Sequence, residues 1–489
     1  MNLKEYFTKK NIIIFSSLFI IIIIITLYFL KYNNSQIKVL AKVGSKVITP
    51  DDFLLNYEFG FPHLKIGNTP IERKKNYLQF MINEYLLALD AESKELNLTP
   101  DVKFQTERIR KELLLESIID NDIKKNIKVN SDEIKEAINK SKVSFKFFFW
   151  PETDLNNALI IKEMFEKNGI DETFKKLSGK KSDFHFDFSK YISDYKSWMD
   201  IPEETFLAIK DLPVNQFSDP IKIDDLYFIF QVQDIRREAV GNEEYLSKAP
   251  TFQKILFNAK LQDRVTDYVD KLVTPKNVRT KARVFNVWAD AIIDWYNSVN
   301  KNSQSFSDWT NSNLNIPSVQ KYIFYQDSIL INFNGGSFTL GEFQKHYYMD
   351  KISEEYQTKK QFKNHLNFLV GMSIRDYFME LEAEEKEYDK TPWFEHQFMK
   401  WTSKFAFEEM MNNYVVQNSQ ENIKVKEKIN LDLDLLKKKY DIYINSEMLD
   451  TLTINESQKS KGSSFQLMKA GVNRLAEPIV DGHWKSITN

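Results

Sequence analysis

The feature that most constrains the fold is a unit that the sequence contains twice. Residues 37–57 read IKVLAKVGSKVITPDDFLLNY, and residues 329–347 read ILINFNGGSFTLGEFQKHY. Both begin with alternating apolar residues around a glycine, which predicts two short strands joined by a tight turn. Thr49 and Thr339 follow at the same point, each with an acid three residues later, the pattern of a capping box. The sequence therefore predicts two copies of a strand–turn–strand–helix unit.

The match between the copies continues through further helices. Residues 78–89 are apolar at helical spacing, and the tail LDAESKEL at 89–96 is matched by LEAEEKEY at 381–388. The second copy has gained four residues inside this helix, about one turn, so its apolar face is kept. A Thr-Pro pair at 99–100 and another at 391–392 then open the next helix. A repeated unit of this size is typical of a protein that holds a partner rather than one built around a single reaction centre.

An apolar run near the N-terminus predicts a membrane anchor. Residues 12–30 carry no charge, and a helix of this length spans roughly 28 Å, close to the thickness of a bilayer core. Lys4, Lys9 and Lys10 precede the run, which places the N-terminus in the cytoplasm and residues 31–489 outside it. The alternatives are a cleaved signal peptide, although no A-x-A-like site follows the run, and a buried core helix.

Composition excludes several classes of site. The 489 residues suggest three or four domains, and a net charge of −2 gives no strong attraction to nucleic acid or anionic lipid. The chain has no cysteine, which excludes disulfides, thiolate metal sites and cysteine nucleophiles. The six histidines form no spaced metal pair, and neither a P-loop nor a GxGxxG motif occurs. We therefore expect no metal and no cofactor, and no sign of ATP use is present.

The middle of the chain changes character. Residues 142–237 predict the order strand, two helices, a third helix and a terminal hairpin, with Gly169 closing the first helix. This order is typical of a compact α+β domain. Residues 248–299 look helical, 301–313 are polar and predict a linker or loop, and 429–445 predict a last helix and strand.

These residues resemble the bacterial periplasmic foldases of the SurA, PpiD and PrsA type. AKVGSKVITPDDF at 41–53 is similar to the family's opening strand, Gly turn and I/V-T-x-x-D/E-F motif. FMINEYLLALDAESKEL at 80–96 is similar to its L-I-x-x-x-L-L-x-x-x-A helix, and 142–237 contains the landmarks of its parvulin-type prolyl isomerase domain in order. The resemblance covers 37–237 and returns at 329–445. The predicted anchor makes the layout most similar to PpiD.

The resemblance implies a prolyl isomerase, but two positions depart from the family pattern. Phe147 and Phe228 stand where parvulins have histidines, and Asp194 is the only acid near the family's Asp or Cys position. Isomerisation must lower a barrier of about 18–20 kcal/mol with positioned polar groups, and it needs no nucleophile. The two phenylalanines therefore predict a weak or inactive domain in which they are plain core residues. Together with Met199 and Phe206 they are also candidates for the lining of a peptide groove.

Dense aromatic clusters offer a second set of candidates. Met399, Trp401 and Phe405 lie in an aromatic helix of the second copy. Ordinary helix packing explains most such residues. The functional alternative is a surface for unfolded polypeptide, because apolar burial is non-directional and flexible apolar surfaces tolerate many sequences.

The sequence thus predicts a mainly helical α+β protein that is anchored in the inner membrane by residues 12–30, with the bulk of the chain in the periplasm. Its predicted function is a chaperone or foldase for unfolded or nascent secreted and outer-membrane proteins. The alternatives are an active prolyl cis-trans isomerase and a scaffold subunit of an envelope complex. The predicted segments are a cytoplasmic tip and anchor (1–31), a SurA-N-like helical unit (37–141), a parvulin-like domain (142–237), a helical connector (238–328), a second SurA-N-like unit (329–445) and a polar tail (446–489).

Overall fold

Helices dominate the parts of the chain that the computed structural model describes, which are residues 38–177, 188–298, 305–346, 358–421, 425–454, 465–466 and 477–482. The chain divides into two units. Unit 1 comprises Met1–Lys125 and Val265–Asn489, and unit 2 comprises Asn126–Arg264. Among the described helices none is long and apolar enough to cross a membrane, and the predicted anchor at 12–30 lies outside the described residues.

Most of the described strands have five residues or fewer, but β3 and β5 have 10 and 12 residues. The strands are β1 (Ala41–Val43), β2 (Lys46–Ile48), β3 (Val143–Glu152), β4 (Ile221–Ile223), β5 (Leu226–Arg237), β6 (Arg279–Thr280), β7 (Ile329–Phe333), β8 (Gly336–Thr339), β9 (Ile442–Ile444), β10 (Phe465–Gln466) and β11 (Glu477–Pro478). The α-helices are α1 (Pro50–Phe59), α2 (Pro70–Ser93), α3 (Pro100–Ile118), α4 (Ser131–Ser141), α5 (Leu155–Leu177), α6 (Glu203–Ile209), α7 (Asn242–Val273), α8 (Ala282–Ser298), α9 (Phe306–Ser312), α10 (Pro317–Phe324), α11 (Leu340–His346), α12 (Lys359–Glu385), α13 (Pro392–Glu421), α14 (Val425–Lys439) and α15 (Ser446–Thr451).

Both predicted hairpins form in unit 1, and each gains a third strand. The hairpin β1–β2 turns at Gly44, whose φ of +55° suits glycine. Its first strand also pairs antiparallel with β9, giving the order β2-β1-β9. The second hairpin, β7–β8, is completed in the same way by β6, giving the order β6-β7-β8. The repeat is therefore a three-stranded sheet followed by helices, with its third strand supplied from elsewhere in the chain.

The helices of the two copies begin as their sequences predict. The Thr49 hydroxyl accepts a hydrogen bond from the Asp52 amide at 3.0 Å, while the Asp52 carboxylate accepts one from the Thr49 amide at 2.9 Å. The pair Thr339 and Glu342 makes the same two bonds at 3.2 and 2.8 Å. Helix α12 has 27 residues against 24 for α2, close to the predicted additional turn.

A break after α1 was not predicted. A side chain at Gly60 would place its Cβ 1.8 Å from the Tyr77 hydroxyl, which instead donates a hydrogen bond to the Asn56 carbonyl at 2.6 Å. The chain therefore leaves the helix at Gly60, and α2 starts again behind its own capping box at Thr69. Helix α2 packs on α13 and α14, and α3 packs on α12 and α13, so both copies contribute to unit 1.

Unit 2 contains the predicted α+β arrangement. Its sheet has the antiparallel order β3-β5-β4, and α5 is interrupted at Gly169, where φ is +77°. Phe148 and Ile229 pack with α5 on one face of the sheet, while Phe147 and Phe230 pack with α6 on the other. One local prediction was wrong: residues Phe306–Ser312 of the segment predicted as a linker or loop at 301–313 form a helix.

The helix in that segment, α9, has a clear physical origin. The Ser305 hydroxyl accepts a hydrogen bond from the Asp308 amide at 3.1 Å, which caps the helix start. Phe306 and Trp309 are buried in a core cluster with residues of α8 and α12. Two buried aromatic side chains therefore hold this mostly polar segment against the core of unit 1.

Candidate functional site

Three of the predicted groove residues come together on one face of the unit 2 sheet. The ring of Phe147 lies 5.9 Å from that of Phe230, which in turn stacks on Phe228 at 5.9 Å. Phe206 on α6 meets Phe145 edge to face at 6.2 Å. Phe147 is buried, whereas Phe228 and Phe206 are partly exposed. The side chains of this cluster are apolar, so they pack well but offer no hydrogen bonds.

Met199 and Asp194 are not members of that cluster. Met199 is half exposed and lines a pocket of about 430 Å³ with Ser144, Lys248 and Phe252. Asp194 is exposed.

A different carboxylate near that position is organised. The Tyr195 hydroxyl donates a hydrogen bond to the Asp234 carboxylate, and the Arg236 guanidinium lies 3.5 Å from the Tyr195 ring centroid. The hydrogen bond from Tyr195 lowers the pKa of Asp234. Sequence reasoning missed this group because its members come from two separate segments.

The candidates on α13 divide between buried and partly exposed positions. Trp401 is buried, and its ring lies 5.7 Å from that of Phe405, which is partly exposed. Met399 is partly exposed, and its sulfur accepts a long hydrogen bond from Ser403. At least Trp401 is thus a packing residue rather than a free surface.

The neighbouring face of α13 carries an ionic site that the sequence reasoning missed. His396, Lys400 and Lys404 are spaced by four residues and therefore line one face of the helix. The Lys400 ammonium contacts Asp52 at 2.9 Å, and the Lys404 ammonium contacts Glu84 at 3.2 Å. A row of basic side chains at helical spacing on an aromatic helix was the available signal. We call this site the lysine groove and define it by Asp52, Asn56, Glu84, Lys400 and Lys404.

The charges of the lysine groove are buried and paired. Burial alone would raise the pKa of Asp52, but the hydrogen bond from His396 at 2.7 Å and the charge of Lys400 hold it well below its usual range. Burial opposes the charged form of Lys404, yet the carboxylates of Glu84 and Asp481 raise its pKa overall. Burial raises the pKa of Glu84 to about 7.

The groove holds a stretch of the chain's own C-terminal region. We call Glu477–Gly482 the C-terminal segment. The Val480 amide donates a hydrogen bond to the Asn56 side chain at 2.9 Å, and the Asp481 amide donates one to Glu84 at 3.0 Å. Ile479 and Val480 are buried, and a cavity of about 30 Å³ remains beside them. This segment lies within the region predicted as a polar tail.

Lysine side chains fix the two acids of the segment. Lys400 binds the Glu477 carboxylate at 2.7 Å, and Lys404 binds the Asp481 carboxylate at 3.2 Å. Each lysine is therefore shared between an acid of the groove and an acid of the segment. The arrangement can recognise an extended polypeptide, both through its main-chain amides and through carboxylates four residues apart. Among the described residues no cluster of His, Asp and Glu is arranged to hold a metal ion.

Several solved protein structures are similar to parts of this chain. No family model and no curated protein matches it. A structure of the SurA-like chaperones PEB4 and Cj1289 of Campylobacter jejuni is 15% identical, with a TM-score of 0.23, and the match covers 50% of this chain and all of that one. The peptidylprolyl isomerase PrsA of Bacillus cereus is 20% identical, with a TM-score of 0.22 and coverage of 47% and 87%. PrsA of Bacillus anthracis is 15% identical, with a TM-score of 0.22 and coverage of 39% and 96%. The similar structures are thus SurA-like and PrsA proteins, and the likeness to PpiD stays a prediction.

Proposed function

We propose that this chain is a membrane-anchored chaperone that holds unfolded polypeptides. The observation that carries the proposal is the lysine groove, which binds an extended segment through bonds from its side chains to main-chain amides. Every polypeptide has such amides, so these two contacts do not depend on the side chains of the client. An extended client also exposes its apolar side chains, whose burial contributes roughly 25 cal/mol per Å².

The proposal places the protein at the inner membrane with its folded units in the periplasm. Its support is the sequence of residues 12–30, which is uncharged and follows three lysines. In this position the protein would meet secreted and outer-membrane proteins as they emerge from transport. Several weak sites on one chain would bind a client by avidity and release it without ATP.

Suppression of aggregation tests the proposal. The full chain in detergent micelles is mixed with several unrelated, chemically unfolded proteins, and light scattering is followed during dilution from denaturant. We expect reduced scattering for most of the clients at a stoichiometric ratio, against micelles alone as the control. Activity toward none of the clients would contradict the proposal and favour a scaffold subunit that binds one folded partner.

A proline-containing peptide separates the chaperone from an active isomerase. The apolar surroundings of Phe147 and Phe228 support slow or absent isomerisation by unit 2. The same preparation is therefore assayed for cis-trans exchange of the peptide by NMR, with Phe228→Ala and Asp194→Asn as control variants. Rapid exchange that either variant abolishes would make the isomerase the main function.

A further inference from the structure

We propose that the lysine groove is a binding site for extended segments that carry an aliphatic pair between two acids, and that the C-terminal segment occupies it in competition with clients. This inference rests on the proposed function and names the client class of its site. In this chain the occupant reads Glu-Pro-Ile-Val-Asp-Gly, residues 477–482.

The two lysines select the acids. The side chains of Lys400 and Lys404 are only 7% and 3% exposed, so neither ammonium can rely on water for its solvation. Each is shared between one groove carboxylate and one segment carboxylate. A buried ammonium that loses a partner is strongly destabilised, because its remaining contacts no longer balance the cost of desolvation. An occupant without acids at both positions would leave that cost unmatched.

The main chain and the aliphatic pair set the remaining requirements. Asn56 and Glu84 accept hydrogen bonds from two consecutive amides, which fixes the direction and register of the occupant. Ile479 and Val480 are fully or almost fully buried. Gly482 has a φ of +55°, and a Cβ there would lie 2.5 Å from the Leu64 side chain, so a glycine follows the second acid.

The mode of attachment makes the segment replaceable. The two amides of Val480 and Asp481 are bonded to side chains of the groove. A client segment of the same pattern can make the same bonds. The C-terminal segment is part of the same chain, so it competes at a high effective concentration, and a client needs several contacts to displace it.

Peptide binding to a released variant tests the inference. The full chain carries Glu477→Lys with Asp481→Lys, which reverses both charges of the segment and sets them against Lys400 and Lys404. A fluorescein-labelled peptide with the sequence of residues 475–484 is titrated, and fluorescence anisotropy is read. We expect the released variant to bind the peptide at least tenfold more tightly than the wild-type chain, in which the site is filled. A peptide with lysines at both acid positions is the matched control, and we expect no binding.

The outcomes separate this inference from the proposed function. Equal affinity of the two chains, or equal binding of the lysine-containing peptide, would overturn the groove as a selective site. If circular dichroism shows that the released variant is unfolded, the milder Glu477→Gln with Asp481→Asn variant replaces it, and a smaller gain in affinity than tenfold but above twofold is expected. No gain would again overturn the inference. Peptide binding without any suppression of aggregation would remove the chaperone function and leave the groove as a peptide site.

Discussion

At the scale of single residues, Glu84 links the stability of unit 1 to pH. Burial raises its pKa from 4.5 to about 7, so the folded chain holds a proton that the unfolded chain has already released between these values. The folded state therefore binds more protons in this window, and its stability falls as the pH rises from about 4.5 to 7. The contribution is complete below the unfolded pKa and is lost through the folded one.

The substitution Glu84→Gln tests this sign. The amide cannot ionise, so the variant should not show this decline, and the difference between the two stability curves should grow by on the order of 3 kcal/mol from pH 4.5 to pH 8. Urea unfolding of both chains at several pH values measures it. Glu380, whose pKa burial also raises to about 7, contributes equally to both curves. Parallel curves would contradict the assignment, and the exposed Glu95→Gln is the control.

Phe147 provides a second test at this scale. It is 4% exposed and packs against Phe149 and Phe230, so Phe147→His would bury an imidazole without a partner. We expect a loss of roughly 2–4 kcal/mol in the free energy of unfolding. Phe228→His, at a partly exposed position of the same cluster, should cost about half as much. A Phe147→His chain that keeps its stability and gains isomerase activity would show that the position is a catalytic one rather than a packing one.

Single residues were the least predictable level. Phe147 and Phe228 could be grouped because the family pattern has histidines at both positions, and the structure places them in one cluster with Phe206. The partners of Lys400 could not be found, because Asp52 lies 348 residues before it in the chain and Glu477 lies 77 residues after it. From sequence alone, a charged residue is expected on the solvated surface, because its burial depends on the tertiary fold.

At the scale of elements, the two copies contain a natural matched pair. Asp52 and Glu342 hold the same position in the two capping boxes. Asp52 also binds His396 and Lys400 inside the core, whereas Glu342 is exposed. The acid at this position therefore caps a helix in both copies, but only in the first copy does it also belong to a buried ionic site.

This difference predicts unequal costs for equivalent changes. Asp52→Asn removes one charge from a buried pair and should lower the free energy of unfolding by about 3–5 kcal/mol. Glu342→Gln keeps a capping oxygen at an exposed position and should cost less than about 1 kcal/mol. Urea denaturation of the two full-length variants gives both values. Comparable losses would mean that the contacts of Asp52 with α13 contribute little.

Elements with strong local signals were predicted well. Both hairpins, the capped starts after Thr49 and Thr339, and the interruption of α5 at Gly169 follow from turn and cap chemistry. The break at Gly60 was missed, because it depends on the Tyr77 hydroxyl, which the fold brings close from another helix. The limits of the proposed domains stay a prediction. Strands β9 and β6 pair with β1 and β7 from distant parts of the chain, and local sequence does not indicate such pairing.

At the scale of the whole molecule, unit 1 depends on a strand pair that joins distant parts of the chain. Strand β1 at Ala41–Val43 pairs with β9 at Ile442–Ile444, and the Asn445 amide donates a hydrogen bond to the Leu40 carbonyl at 2.8 Å. No periodicity in the sequence specifies such a partner, since antiparallel pairing of three-residue strands depends on what the helices around them bring together. Unit 1 therefore cannot be complete until the chain beyond residue 445 has been made, which favours slow folding.

The register of this pair allows a sharp test. Gly44 donates to Asp441 and Asn445 donates to Leu40, so the alternation of an antiparallel ladder makes Lys42 and Tyr443 a hydrogen-bonded pair, while Ile444 directs its amide away from β1. Tyr443→Pro removes a donor to the Lys42 carbonyl and should destabilise unit 1 by about 1–3 kcal/mol. Hydrogen exchange measured by mass spectrometry should show faster exchange of the amides of both β1 and β9. Ile444→Pro places the same ring one residue further on, where no ladder bond is lost, and should change exchange in β1 much less. If both variants exchange alike, the joining of the two distant segments does not depend on this ladder, and the helices that pack around α2 must hold unit 1 closed by themselves.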